Sequence, residues 1–199
     1  MCIKYTKINV YLLAGVEIMR IKPIEYNEAD EEVKKLWDEH ESAHIITNMK
    51  RTLLHHPLSF KVMMEWYDLY DKVAQIEGVG QLGADIFSYA ISSENDCLIC
   101  ETFFRKILLD AGRNPDALDL SEKEKLLTEY GRACVKQPVK VSDELYEKMA
   151  ENFSDEEIVL LTTFAGMMIA TNLINHALEV DLDARLIGFE KASKRGAKK

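Results

Sequence analysis

Two cysteines, Cys97 and Cys100, stand three residues apart in the segment ISSENDCLICETFFRKILLD. A C-x-x-C pair serves redox or metal chemistry. The preceding run Ser92-Ser93-Glu94-Asn95-Asp96 consists of cap formers, so a helix is expected to begin close to Cys97. A spacing of three then places both sulfurs on one helix face, within reach of a disulfide. The helix N-terminus offers partial positive charge and free N–H groups, which favour thiolate over thiol, and thiolate is the nucleophile. A thiolate that meets a peroxide becomes a sulfenic acid, and a second thiol condenses with it to a disulfide. The spacing leaves other readings open. The pair could be two small buried apolar residues. It could be half of a zinc site, although no second C-x-x-C or paired His follows. It could be a thioredoxin-type site, although that requires a strand leading into the helix.

The elements that must position the pair read as helices. Asn27 can cap a helix carrying Val33, Leu36 and Trp37. Thr47 or Asn48 opens a short helix that stops before Pro57, and Pro57 suits the first turn of the next. That next helix is expected to carry Phe60, Met63, Met64, Tyr67 and Val73 as far as Gly78 and Gly80. Another covers Leu82 to about Ile91. The helix at Cys97 runs through Phe103, Ile107 and Leu108 to Gly112. Ser121 and Ser154 each begin an S-x-x-E capping box, and between them Ser142 or Asp143 starts a helix with Leu145 and Met149. The stretch from about Asp155 to Leu178 is apolar on most sides and is expected to be the central buried helix. No β-alternation stands out after Met19. The expected fold is all-α: a single domain of about eight helices.

The chain has 199 residues, a formal charge of −9 and four cysteines. Its length suits one domain, and four cysteines in such a length are not a disulfide scaffold. The acidic balance argues against nucleic acid or an anionic membrane as partner. Residues 1–18 include a short apolar run, Val10 to Val16, that is too short to span a bilayer and has no signal-peptide cleavage pattern. They read as an N-terminal extension, with Met19 a possible true start. Residues 19–188 then form the domain, and residues 189–199 a basic, apolar-poor tail expected to be solvated. A cytoplasmic location is expected.

The opening IKPIEYNEADEEVKKLWDE, the segment ITNMKRTLLHHP, the run ADIFSYAISSENDCLIC and the long VSDELYEKMAENFSDEEIVLLTTFAGMMIATNLIN carry a resemblance. Together they resemble the carboxymuconolactone decarboxylase superfamily, in its alkylhydroperoxidase D-like, peroxidase-related branch. The resemblance spans most of Met19 to about Leu186. It implies an all-α subunit, assembly as trimers or hexamers, and reduction of hydroperoxides through a redox-active Cys97/Cys100 disulfide, without cofactor or metal. It further implies that Cys100 attacks the peroxide, that Cys97 resolves, that Asp85 joins a proton relay, and that a dithiol protein is the reductant. The branch has Glu where this chain has Asp85, and a His where it has Phe104. Phe accepts no proton and makes the surroundings more apolar, which raises a thiol pKa. Loss of a general base costs roughly 10²–10⁴-fold in rate, so weakened peroxidase activity is expected. Lactone decarboxylation and a catalytically degenerate, ligand-binding oligomer are the alternatives.

Several other residues have plain expectations. His55 and His56 read as cap or surface groups beside Pro57. His176 reads as a buried, hydrogen-bonded histidine, with a replacement base as the sharper alternative. Met63, Met64, Met167 and Met168 read as core filler. Trp37, Trp66, Tyr67 and Tyr70 fit a pocket or a subunit seam equally. Cys134 reads as structural.

Overall fold

The computed structural model of the protein describes residues 19–192, so the expectations for residues 1–18 and for most of the basic tail lie outside the described residues. Nine α-helices follow one another among the described residues: α1 Glu31–Glu41, α2 Asn48–Leu53, α3 Pro57–Met64, α4 Trp66–Ala74, α5 Gly80–Glu94, α6 Leu98–Asp110, α7 Glu122–Val135, α8 Asp143–Asn152 and α9 Asp155–Ala177. No strand occurs among them, so the expected all-α, single-domain bundle is what forms.

Local punctuation explains most boundaries. Thr47, Ser121, Ser142 and Ser154 each cap the helix that follows, and Ser121 and Ser154 complete reciprocal capping boxes with Glu124 and Glu157. Pro57 opens α3, with the His56 ring accepting from the Ser59 N–H at its N-terminus. The first helix starts later than expected. Asp30 is its cap, and Asn27 lies in a 3₁₀ turn, Tyr26–Glu28. The long helix expected from Pro57 onward is two helices, because the backbone tightens at Glu65 (φ −57°, ψ −14°) and starts again at Trp66. The helix expected over Leu82–Ile91 is longer at both ends, since Ser92, Ser93 and Glu94 continue α5 instead of capping α6.

The centre of the bundle is α5, not α9. Every residue of α5 from Gly83 to Ser92 is buried, and α4, α6, α7 and α9 pack around it. The apolar α9 packs on α4, α5, α7 and α8 but leaves Val159 and Leu173 more than 60% exposed. An apolar composition on all sides therefore marked a helix with one open face, while the buried helix carried Asp85, Ser88 and Ser92 inside it. A second, smaller cluster of Val33, Trp37, Leu53, Leu54, Phe60 and Met63 joins α1–α3, and Met167 and Ile174 of α9 pack against it.

Helices α5 and α7 approach closely at Gly131. A Cβ added at Gly131 would stand 2.9 Å from both Ile91 Cγ1 and Phe87 Cε2, and both side chains are fully buried. Neither ring nor branch has room to turn aside. Gly131→Ala is therefore expected to destabilise the fold. Overpacking costs about 1–3 kcal/mol, and this outweighs the helix propensity of about 1 kcal/mol that Ala brings. Urea unfolding checks it: the midpoint should fall with little change in slope.

Candidate active site

The turn from α5 into α6 sets the thiol geometry. Asp96 takes a positive φ of 57°, and the Cys97 N–H returns to the Ser92 carbonyl at 3.0 Å. Cys97 then leaves the turn extended and becomes the N-cap of α6. Its sulfur does what a Ser or Asp oxygen does at most helix starts: it accepts the Cys100 N–H, at 3.4 Å. Both cysteines are buried and free, and they lie 3.0 Å apart without a disulfide.

This environment separates the two thiols. The Cys97 pKa is lowered, first by the hydrogen bond shared with Cys100 and then by backbone N–H groups of the first turn, against the opposing effect of burial. The Cys100 pKa is raised, because it holds the shared proton, is buried, and faces the developing charge on Cys97. The shared proton therefore lies toward Cys100, and Cys97 is the more acidic sulfur of the pair. From α9, Asn175 Nδ2 donates to Cys100 Sγ at 3.2 Å and lies 3.9 Å from Cys97 Sγ. Asn175 Oδ1, both amide atoms of Asn172 and the Ser92 hydroxyl are buried here without a partner among the described residues.

A cavity of about 400 Å³ opens onto Cys100, not Cys97. Ile99, Trp66, Phe103, Phe104, Met168 and Asn175 wall it near the sulfur. Phe104 is buried, with its ring set edge-on to Phe103 at 5.1 Å and tilted to Trp66 at 6.3 Å. The site that the resemblance assigns to a histidine is thus part of an apolar wall. The same cavity also has a polar end, where Lys50, Tyr67, His44, Asp183 and Arg185 cluster. Trp66, Tyr67, Met63, Met64 and Met168 are therefore pocket residues, Tyr70 lies one layer behind, and Trp37 belongs to the smaller core.

Asp85 does not line the cavity. Its carboxylate accepts a hydrogen bond from the Tyr70 hydroxyl, which in turn accepts from Gln81 Nε2. The Tyr70 ring stacks on Trp66 at 4.7 Å, so Asp85 reaches the cavity wall only through two aromatic rings. Burial pushes its pKa up to about 6, against the Tyr70 hydrogen bond that lowers it. His176 also departs from expectation: it is exposed, and its Nε2 pairs with the Asn95 carbonyl at 3.2 Å. Cys134 is buried, which raises its pKa, and stands beside Tyr130 in the main core. Among the described residues, no group of three or more His, Cys, Asp and Glu side chains gathers as a metal site would need.

No protein-family model matches the chain, and no curated protein matches it. Solved structures do. An uncharacterized peroxidase-related protein from Ralstonia eutropha JMP134, described as an alkylhydroperoxidase AhpD core, aligns with a TM-score of 0.66 at 17% identity, over 86% of this chain and 95% of that one. The chain has the AhpD-like fold. The debrominase Bmp8 aligns at a TM-score of 0.68 and 16% identity, over 85% of this chain and 95% of that one. A variant of Bmp8 in complex with 2,3,4-tribromopyrrole aligns at 0.67 and 14% identity, over 85% and 94%.

Lys50 and Asn175 were not singled out as site residues by sequence, whereas Tyr67 was placed at a pocket or a subunit seam. The signal for Asn175 was there: Asn172 and Asn175 are two amides one turn apart in an otherwise apolar helix. Lys50 left none, because it meets Tyr67 only in the folded chain.

The raised Asp85 pKa has a signed consequence for stability. The folded chain keeps this proton up to about pH 6, while the unfolded chain releases it near 3.8. Between those values the folded state binds more protons, so this group's contribution to stability falls as pH rises from about 4 to 6 and is constant above. Asp85→Asn carries no such titration and still offers Tyr70 an acceptor. Its urea midpoint relative to the unsubstituted chain should rise between pH 4 and pH 7.5.

Proposed function

We propose that this chain is a dithiol oxidoreductase of the thiol-peroxidase type, with Cys100 as the attacking sulfur and Cys97 as its base and resolving partner. The observation that carries the reading is the division of labour within the pair. The helix that Cys97 caps, with the Cys100 hydrogen bond, lowers its pKa, and Cys100 faces the cavity. The Cys100 proton passes to Cys97, so the neighbouring sulfur does what the absent histidine would do. The Cys100 thiolate, with Asn175 Nδ2 donating to it, attacks the outer oxygen of a hydroperoxide. The O–O bond breaks, the alkoxide takes a proton from solvent water and leaves as the alcohol, and Cys100 becomes a sulfenic acid. The Cys97 sulfur, as thiolate, then displaces hydroxide, which leaves as water with the proton that Cys97 had taken. From one thiolate and one thiol, the sum is one hydroperoxide and one solvent proton consumed, giving one disulfide, one alcohol and one water. On the same reading an external dithiol protein restores the pair, and the chain works as a homo-oligomer in the cytoplasm. Asp85 takes the role of a positioning residue, through Tyr70 and Trp66, rather than a proton carrier at the sulfur.

The aromatic, apolar wall around Cys100 and the likeness to Bmp8 support a second reading: reductive dehalogenation. Two thiols and one bromoarene would give one disulfide, the arene, bromide and a proton. Bromide release from 2,3,4-tribromopyrrole, compared with loss of cumene hydroperoxide, separates the two substrates.

The experiment for the main reading is a thiol titration of the fully reduced chain. One equivalent of cumene hydroperoxide should remove two thiols per chain. Cys100→Ser should lose none, and Cys97→Ser should stop at a trappable sulfenic acid on Cys100. If the folded, unsubstituted chain keeps all its thiols, the reading is wrong. Asn175→Ala removes a hydrogen bond to a charged sulfur, which contributes about 1.5–3 kcal/mol. Its oxidation rate should therefore drop about 10–100-fold, measured by stopped-flow tryptophan fluorescence.

A further inference from the structure

The polar end of the cavity is not explained by thiol chemistry. Lys50 is only 4% exposed, yet no carboxylate of the described residues forms an ion pair with it. A buried ammonium is ordinarily paired, since leaving a charge in a low-dielectric site without a counter-ion is costly. Its Nζ donates instead to the Ile45 carbonyl at 2.5 Å and to the Tyr67 hydroxyl at 2.6 Å. Both are neutral acceptors. An ammonium has three N–H bonds, so one donor remains.

The surrounding charges do not neutralise it. Asp183 lines the same end, but one carboxylate oxygen accepts the Asn48 N–H at 2.9 Å, and burial raises its pKa. Arg185, also on the wall, has its guanidinium over the Phe103 ring at 5.4 Å. His44 stacks on the Tyr67 ring at 3.6 Å and is held toward its neutral form by burial and by Lys50. Two cations therefore face one carboxylate at this end, in a chain whose overall formal charge is −9. Burial and then Arg185 lower the Lys50 pKa to about 7, against the smaller raising effect of Asp183. A bound anion would reverse that.

We infer that this end of the cavity binds the single anionic group, a carboxylate or similar oxyanion, of an otherwise apolar substrate whose reacting end lies against Cys100. The anion accepts from Lys50 Nζ, and Arg185 adds long-range attraction. The Trp66, Phe103, Phe104 and Met168 wall covers the apolar body. This rests on the reading of the cavity as the substrate site of the thiol pair, and it narrows the substrate from any hydroperoxide or haloarene to one carrying an acid group.

The test uses a matched pair of probes that no thiol can reduce, 2-naphthoate and 2-naphthalenemethanol, with binding to the full chain followed by calorimetry. Naphthoate should bind at least tenfold tighter than the alcohol. Lys50→Met should abolish the preference, and Lys50→Arg should keep most of it. If circular dichroism shows Lys50→Met misfolded, Lys50→Gln, which keeps donors but loses the charge, takes its place and should lose most of the preference. Equal binding of the two probes, binding of neither, or a preference that survives in folded Lys50→Met overturns the inference. None of these outcomes depends on thiol oxidation, so failure here and failure of the cumene hydroperoxide titration are distinguishable.

Discussion

The site depends on one hydrogen bond, from the Cys100 backbone N–H to the Cys97 sulfur. Helix starts present N–H groups with no intrahelical partner, and something must accept from them. Here that acceptor is a thiol. The helix N-terminus and the cysteine chemistry are therefore a single feature: the group that completes α6 is the group whose ionisation the first turn stabilises. The α5–α6 turn enforces it, since the positive φ at Asp96 and the Cys97–Ser92 bond point the sulfur back over the first turn. Cys100, one turn further on, is left buried, protonated and open to the cavity.

Around that bond, burial of polar groups is used more than once. Asp85, Lys50 and Asn175 are all within the bundle, and each is held by different means. Asp85 is kept toward its neutral form and accepts from Tyr70, which stiffens the Tyr70–Trp66 stack behind the cavity. Asn175 donates to a sulfur across the α6–α9 contact. Lys50 rests on a carbonyl and a phenol. Buried polar groups are ordinarily hydrogen-bonded, and each of these three has at least one such partner.

The likeness to solved structures extends over most of each chain at 13–20% identity, and the neighbours include peroxidase-related proteins as well as a debrominase. A shared bundle therefore leaves the reaction open. What bears on the chemistry is local: an apolar phenylalanine where a base is expected, a second thiol in contact with the first, and a cation at the polar end of the cavity. Phe104 is consistent with the rest, since it continues the apolar wall formed with Trp66 and Phe103.

Sequence alone determined the helices and the thiol pair. Capping boxes at Ser121 and Ser154, the proline at α3, and the cap-rich run before Cys97 act over three or four residues, so they are written in consecutive letters. Their small errors have the same origin: Asp30 beat Asn27 as a cap, and Ser92–Glu94 stayed helical, because packing of the helix decides among adjacent candidates. Only the tertiary structure decided which helix is central, that Asp85 stands behind Tyr70 instead of at the sulfur, that His176 faces outward, and that Asn175 and Lys50 meet the cavity. Those are contacts between residues as far apart as 97 and 175 in the chain, and helical periodicity states which face a residue is on without stating what that face meets.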